Sequence, residues 1–271
     1  MPEITVNGVE LHYVDEGQGT SVVFVHGVWM SSRFFEKQRA FFGERHRYIA
    51  LDLRGHGRSE HVDHGHILPQ YGRDLRAFLE TVGAGDAVVV GWSMGAMVAW
   101  EMIDQFGTDG LRALVVVGQS PSDFKWPDWP DGFLDFDALR HVMESVQADQ
   151  AATARDLVGL MLAQTPPEDE AAWMVEEISR PPASVASAIL FDQTVRDYRE
   201  VLPKVNVPSL VVSGRHDKLI PVSAADLVST TMPAAELVVI EESGHCPFLE
   251  EPARFNEVVD GFVREVSSTP A

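Results

Sequence analysis

Short unbroken apolar runs alternate along this chain with longer stretches whose apolar positions recur at helical spacing. Residues 4–6 and 11–14, separated by Asn7-Gly8, predict an opening β-hairpin, because an Asn-Gly pair supplies the positive φ angles of a tight turn. Residues 22–25, Val-Val-Phe-Val, end at His26-Gly27 and suit a strand covered on both faces of a parallel sheet. A helix over about 31–42, a strand over 48–52, a further helix, a strand over 87–91, a helix over 94–106 and a strand over 111–118 continue the alternation. Strands alternating with helices mean a parallel sheet flanked by helices.

After Gly118 the rhythm breaks. Residues 119–203 hold no convincing strand but helix-like segments at 134–146, 151–162 and 171–178. An inserted helical cap is expected there, between core segments 1–118 and 204–271. Its first part, Phe124-Lys125-Trp126-Pro127-Asp128-Trp129-Pro130, sets aromatic rings among prolines that forbid a regular helix. The rhythm returns with a strand over 209–214, a helix over 223–229, a strand over 236–240 and a closing helix over 252–265, and residues 267–271 are expected to fray.

Composition narrows the field. At 271 residues, 45% hydrophobic and 23% charged, the chain can bury a sizeable core and is expected to be ordered. Its formal charge of −20 repels phosphate backbones and anionic lipid, so neither nucleic acid nor a membrane surface is an expected partner. The single Cys246 permits no internal disulfide. With no basic-apolar leader pattern and no apolar run long enough to span a bilayer, a cytoplasmic protein is expected. Monomer and homodimer both remain open.

Gly91-Trp92-Ser93-Met94-Gly95 joins an apolar strand to an apolar helix and reads as a nucleophile elbow. Glycines on either side let the two elements pack closely while the Ser93 hydroxyl projects from the sheet. A serine that merely caps the helix is the plainer alternative. A serine hydroxyl also needs a base and a group to orient that base. Arg215-His216-Asp217 follows one late strand and Ser243-Gly244-His245 the next, so both side chains fall at the carboxyl edge where groups distant in sequence converge.

Together with His26-Gly27-Val28, Asp52-Leu53-Arg54-Gly55-His56-Gly57-Arg58-Ser59 and Gly244-His245-Cys246-Pro247, these motifs resemble an α/β-hydrolase-fold serine enzyme with a helical cap, over nearly the whole chain. The resemblance extends to the esterases and the cofactor-free haloperoxidase and perhydrolase group. It implies a mostly parallel, eight-stranded twisted sheet and the chain order Ser93 nucleophile, Asp217 orienting acid, His245 base. It also implies an oxyanion hole from the backbone N–H groups of Val28 and Met94, with no metal or cofactor. Asp123 is a lesser candidate for the acid, and Asp217 could instead cap the following helix. His26 is expected to brace the oxyanion loop and His56 to make a structural hydrogen bond. Cys246 reads as a small buried residue, and Asp63, His64 and His66 as a solvated loop rather than a metal site.

The serine disfavours relatives that open epoxides or remove halide, which use an aspartate nucleophile. Cleavage of small, largely apolar esters through an acyl-enzyme is the leading expectation. Hydrolysis of a lactone, an amide or a carbon–carbon bond, perhydrolysis, and small-molecule reception with vestigial turnover are the alternatives; Cys246 after His245 weakens the carbon–carbon branch. Trp29, Trp92, Phe124, Trp126, Trp129 and Phe133 are the pocket candidates, from a chain whose cap also carries Phe136, Trp173 and Phe191.

Overall fold

The computed structural model describes residues 2–268. The apolar runs become strands β1 (Glu3–Val6), β2 (Val9–Gly17), β3 (Ser21–Val25), β4 (Arg47–Leu51), β5 (Ala87–Trp92), β6 (Leu111–Val117), β7 (Ser209–Gly214) and β8 (Ala235–Ile240). They form one eight-stranded sheet in the order β1-β2-β4-β3-β5-β6-β7-β8. The β1/β2 and β2/β4 pairs are antiparallel and the others parallel. Helices α1 (Glu36–Gly43), α2 (Leu68–Thr81) and α3 (Met94–Phe106) connect the earlier strands. Between β6 and β7 run α4 (Phe136–Ala148), α5 (Gln150–Met161), α6 (Glu168–Ile178) and α7 (Ala183–Thr194), and α8 (Val222–Thr231), α9 (Pro247–Glu250) and α10 (Pro252–Ser268) complete the chain.

Successive residues of a central strand feed opposite cores. Val22, Phe24, Val88 and Val90 pack with Phe42 of α1 and Phe255 and Val259 of α10. Val23, Val25 and Val89 pack with Phe78 of α2, Met97 of α3 and Val228 of α8. Covering both faces is what makes the strands read as unbroken apolar runs rather than alternating ones.

Asn7 (φ 48°) and Gly8 (φ 76°) form the predicted hairpin turn. β2 runs on to Gly17, beyond the expected residue 14, because it changes partner from β1 to β4. That register sets Asp15 beside Arg47, a pair 2.7 Å apart that lets a polar segment stay in the sheet. The helix expected over 31–42 is divided: Ser32–Phe35 forms a 3₁₀ turn capped by Ser31, and α1 starts only at Glu36. The break serves two consecutive, fully buried rings, Phe34 against Trp92 and Phe35 against Phe24. α7 has no counterpart in the sequence reading, since its apolar residues form no single stripe: Ile189 and Leu190 are buried while Phe191 is exposed. At the chain end, Ser267 and Ser268 belong to α10, and residues 269–271, also expected to fray, lie outside the described residues.

Candidate active site

The strand-to-helix turn after β5 depends on contacts that only glycine permits. A Cβ on Gly91 would lie 2.6 Å from the Ala96 nitrogen, and one on Gly95 would overlap the Val25 carbonyl oxygen. Between them Ser93 takes φ 52° and ψ −124°, a left-handed conformation held by its N–H on the Val117 carbonyl (2.9 Å) and its own carbonyl on the Ala96 N–H (2.8 Å). Ser93 therefore stands at the start of α3 with its backbone fully committed and its side chain on a cavity wall.

The loop after β7 supplies Asp217 and the loop after β8 supplies His245. Asp217 Oδ1 accepts the N–H groups of Leu219 (2.8 Å) and Ile220 (2.9 Å), while Oδ2 lies 2.8 Å from His245 Nδ1. Turn capping and pairing with the imidazole are thus both realised, on different oxygens of one carboxylate. With Nδ1–H given to Asp217, the ring's Nε2 is left as the acceptor, the tautomer a general base requires. Ser93 and His245 line the same cavity. Among the described residues the Ser93 hydroxyl makes no hydrogen bond, and catalytic bonds of this kind often tighten only around substrate.

The His245 backbone is gripped from several sides. Its N–H donates to the Met161 carbonyl at the end of α5 (2.7 Å), and its carbonyl accepts from Trp92 Nε1 (3.0 Å). Glu250 clasps the same corner, its two oxygens accepting the N–H groups of Gly244 (2.8 Å) and Ala163 (2.7 Å). Burial pushes this carboxyl above the ordinary glutamate range, against the pull of those donors. Lys218, beside Asp217, donates to the Leu162 carbonyl (2.7 Å). The C-terminal end of α5 is therefore tied to both the acid loop and the imidazole loop.

Val28 lines the same cavity as Ser93, and Met94 follows Ser93 in the chain. Leu53 N–H donates to His26 Nε2 (3.0 Å), so Nδ1 carries the ring hydrogen and donates it to the Gly27 carbonyl (2.8 Å). In a trans peptide the Val28 N–H then points the opposite way. Burial lowers the His26 pKa, keeping the ring neutral and the brace intact. Trp29 takes φ 63° in the same loop and donates its indole N–H to the Ala186 carbonyl of α7 (2.9 Å). Met94 is the first residue of α3, where helix N–H groups are free of intrahelical partners. Among the described residues neither the Val28 nor the Met94 N–H meets a protein acceptor.

The cavity measures about 260 Å³ and lies between the carboxyl edge of the sheet and the helices α4, α5 and α7. Trp29, Trp92 and Phe133 line it with Val28, Leu157, Met161 and Leu190. Phe124, Trp126 and Trp129, also expected at the pocket, do not. Phe124 packs on Trp126 (4.7 Å between ring centroids) and on Phe136, and both indole N–H groups are spent on Ser122, Trp126 on Oγ and Trp129 on the carbonyl oxygen, each at 2.9 Å. The proline-rich stretch is thus a self-packed pillar beside the cavity. Trp173 is occupied with Phe34 and the guanidinium of Arg33.

The remaining candidates fall into supporting places. Asp52 accepts the N–H groups of Ser32 (2.6 Å) and Arg58 (2.8 Å) and meets His12 Nδ1 (3.0 Å). Burial opposes its ionisation, but His12 and the backbone donors hold it at about 2. His56 bonds the Arg54 carbonyl (2.9 Å) and burial keeps it neutral. Asp63 and His64 form an exposed pair while His66 turns to the Val62 carbonyl (2.7 Å). Burial drives the Cys246 thiol well above its ordinary range, which removes the thiolate a nucleophile would need. Asp123 meets not the imidazole but two amides, Gln119 Nε2 (2.7 Å) and Gln193 Nε2 (2.6 Å), and its burial raises it to about 6. Both glutamines line the cavity, and neither carried a sequence signal: Gln193 lies on the unrecognised α7.

A doubly covered parallel sheet, a strained serine at a strand-to-helix turn and an aspartate–histidine pair on later strand ends define the α/β-hydrolase class. Residues 22–258 match the alpha/beta hydrolase family, and the chain belongs to it. It is 30% identical to a pimeloyl-(acyl-carrier protein) methyl ester esterase of Nitrosomonas europaea, across 92% of this chain and 98% of that one. It is 32% identical to a non-heme chloroperoxidase of Kitasatospora aureofaciens, across 89% and 90% of the two chains. Among solved structures it superposes on an esterase from Exiguobacterium antarcticum with a TM-score of 0.90 and 26% identity, covering 97% of each.

Proposed function

We propose that this protein hydrolyses carboxylic esters of small, largely apolar substrates through an acyl-enzyme on Ser93. The observation that carries the reading is the 2.8 Å pair of Asp217 Oδ2 and His245 Nδ1 at a cavity that also holds a serine in left-handed backbone. His245 Nε2 takes the Ser93 proton as Oγ attacks the ester carbonyl. The N–H groups of Val28 and Met94 receive the oxyanion. The tetrahedral intermediate expels the alcohol, which leaves with the proton returned by His245. Water, deprotonated by the same nitrogen, then attacks the acyl-enzyme and releases the acid, restoring Ser93. Asp217 keeps the ring's tautomer and offsets its transient positive charge. The segment 119–203 serves as the cap over core segments 1–118 and 204–271. A cytoplasmic setting is part of the proposal, supported by a chain with one cysteine.

A fluorophosphonate probe mapped by mass spectrometry tests the assignment: the adduct is expected on Ser93 and absent from Ser93→Ala. Ester turnover should fall on the order of 10⁴- to 10⁶-fold in that variant. An adduct elsewhere, or turnover that survives, overturns the reading. The chloroperoxidase relative favours one second activity, attack on the acyl-enzyme by hydrogen peroxide instead of water, giving a peracid. Peracid formation from acetate and peroxide, set against ester turnover, measures it.

A further inference from the structure

The cavity is largely apolar, yet its wall contains two polar side chains whose hydrogen bonding is half complete. Gln119, just beyond β6, and Gln193, on α7, are 1% and 2% exposed, and both line the cavity. Both N–H groups of Gln119 Nε2 and one of Gln193 Nε2 are engaged. Gln119 Nε2 donates to Asp123 Oδ1 (2.7 Å) and to the Ser120 carbonyl (3.0 Å), and Gln193 Nε2 donates to Asp123 Oδ2 (2.6 Å). Turning either amide over would set its oxygen against a carboxylate oxygen, so the two orientations are fixed by chemistry. The other branch of each amide is an oxygen, and among the described residues no donor reaches Gln119 Oε1 or Gln193 Oε1. Buried acceptors are normally paired, and an unpaired one on a residue that lines a binding cavity marks where a ligand can donate.

We propose that Gln119 Oε1 and Gln193 Oε1, held by Asp123, form an acceptor subsite that takes a hydroxyl or amide N–H carried by the substrate. The inference rests on the esterase reading and narrows it: the substrate is apolar along most of its length but bears one neutral donor group. An anionic group does not fit here, because two lone-pair-bearing oxygens backed by a carboxylate repel it. The two acceptors come from different layers, one from a strand end and one from a helix between β6 and β7, so a seated donor bridges sheet and helices.

The test uses ester pairs that differ by one hydroxyl, placed first in the acyl chain and then in the alcohol. In the wild-type protein kcat/KM for the hydroxylated member of at least one pair should exceed its partner on the order of ten- to a hundredfold. Gln193→Met and Gln119→Met, close in volume and without the acceptor, should bring that ratio toward one. Equal rates within every pair, or a ratio that survives both substitutions, overturns the subsite. In parallel, calorimetry with the same esters bound to Ser93→Ala, which needs neither turnover nor the glutamine variants, should show the same preference in dissociation constant, and equal constants overturn the proposal. If no ester is turned over or labels Ser93, the ester reading fails by itself, and the calorimetric ratio still decides the subsite.

Discussion

The loops that follow β6 and β7 each bury an aspartate side chain, and the two carboxylates are held in different ways. Asp217 receives backbone N–H groups on one oxygen and His245 on the other. Asp123 receives two side-chain amides, and its desolvation is only partly offset, leaving it at about 6. The Asp217 side chain is 1% exposed and Asp123 is 1% exposed, so side-chain burial does not separate them; their donors do. A carboxylate that faces an imidazole can orient a base, whereas one that faces two amides can only orient amides.

The largest effect that would break this contrast is on rate. Asp217→Asn should lower kcat for ester cleavage by about 10⁴-fold, because an amide at that position can favour the wrong imidazole tautomer. Asp123→Asn should lower it less than about tenfold on an ester without a hydroxyl, since that side chain makes no hydrogen bond to His245. Reversed magnitudes would exchange the two roles. Next comes Gly118→Ala: the added Cβ would sit 3.1 Å from His245 Nδ1 and 3.4 Å from Asp217 Oδ2, at a φ of +55°. Displacing that pair should reduce kcat on the order of a hundredfold with little change in KM. Steady-state kinetics on one short ester checks all three.

The smallest effect concerns stability and has a defined sign. The folded-state pKa of Asp123, about 6, lies above its ordinary value of 3.8, so the native state binds the proton more tightly than the unfolded chain. Its contribution is most favourable below pH 3.8 and is lost as pH rises through 6. Asp123→Asn removes this dependence, so its Tm relative to wild type should climb by about a few degrees from pH 4 to pH 8. Asp52, held at about 2, behaves oppositely, and its contribution is lost as pH falls from 3.8 toward 2. Thermal melts of Asp123→Asn and Asp52→Asn over that range should therefore diverge in slope.

The sheet was legible because burial on both faces writes itself into sequence as apolar runs such as residues 22–25 and 87–90, each closed by a motif. The elbow and the aspartate–histidine pairing were legible for a related reason: their loops follow directly from strand ends. What lay between β6 and β7 was harder to read. Phe124, Trp126 and Trp129 look like pocket residues by type, but whether a ring faces a cavity or a neighbouring ring depends on tertiary contacts such as Ser122 with both indoles. Gln119 and Gln193 were invisible for the converse reason, since a glutamine carries no periodic signal and their common partner is 70 residues from Gln193 in the chain.

The last turn of α5 is fastened to the Asp217 loop through Lys218 and to the His245 loop through Met161 and Glu250. A cavity-lining helix and the aspartate–histidine pair consequently share one anchorage. An acyl chain too bulky for the vault would lever that helix outward and loosen the imidazole's footing in the same motion, so oversize guests would be rejected at the chemical step and discrimination by length would register in kcat before it registered in affinity.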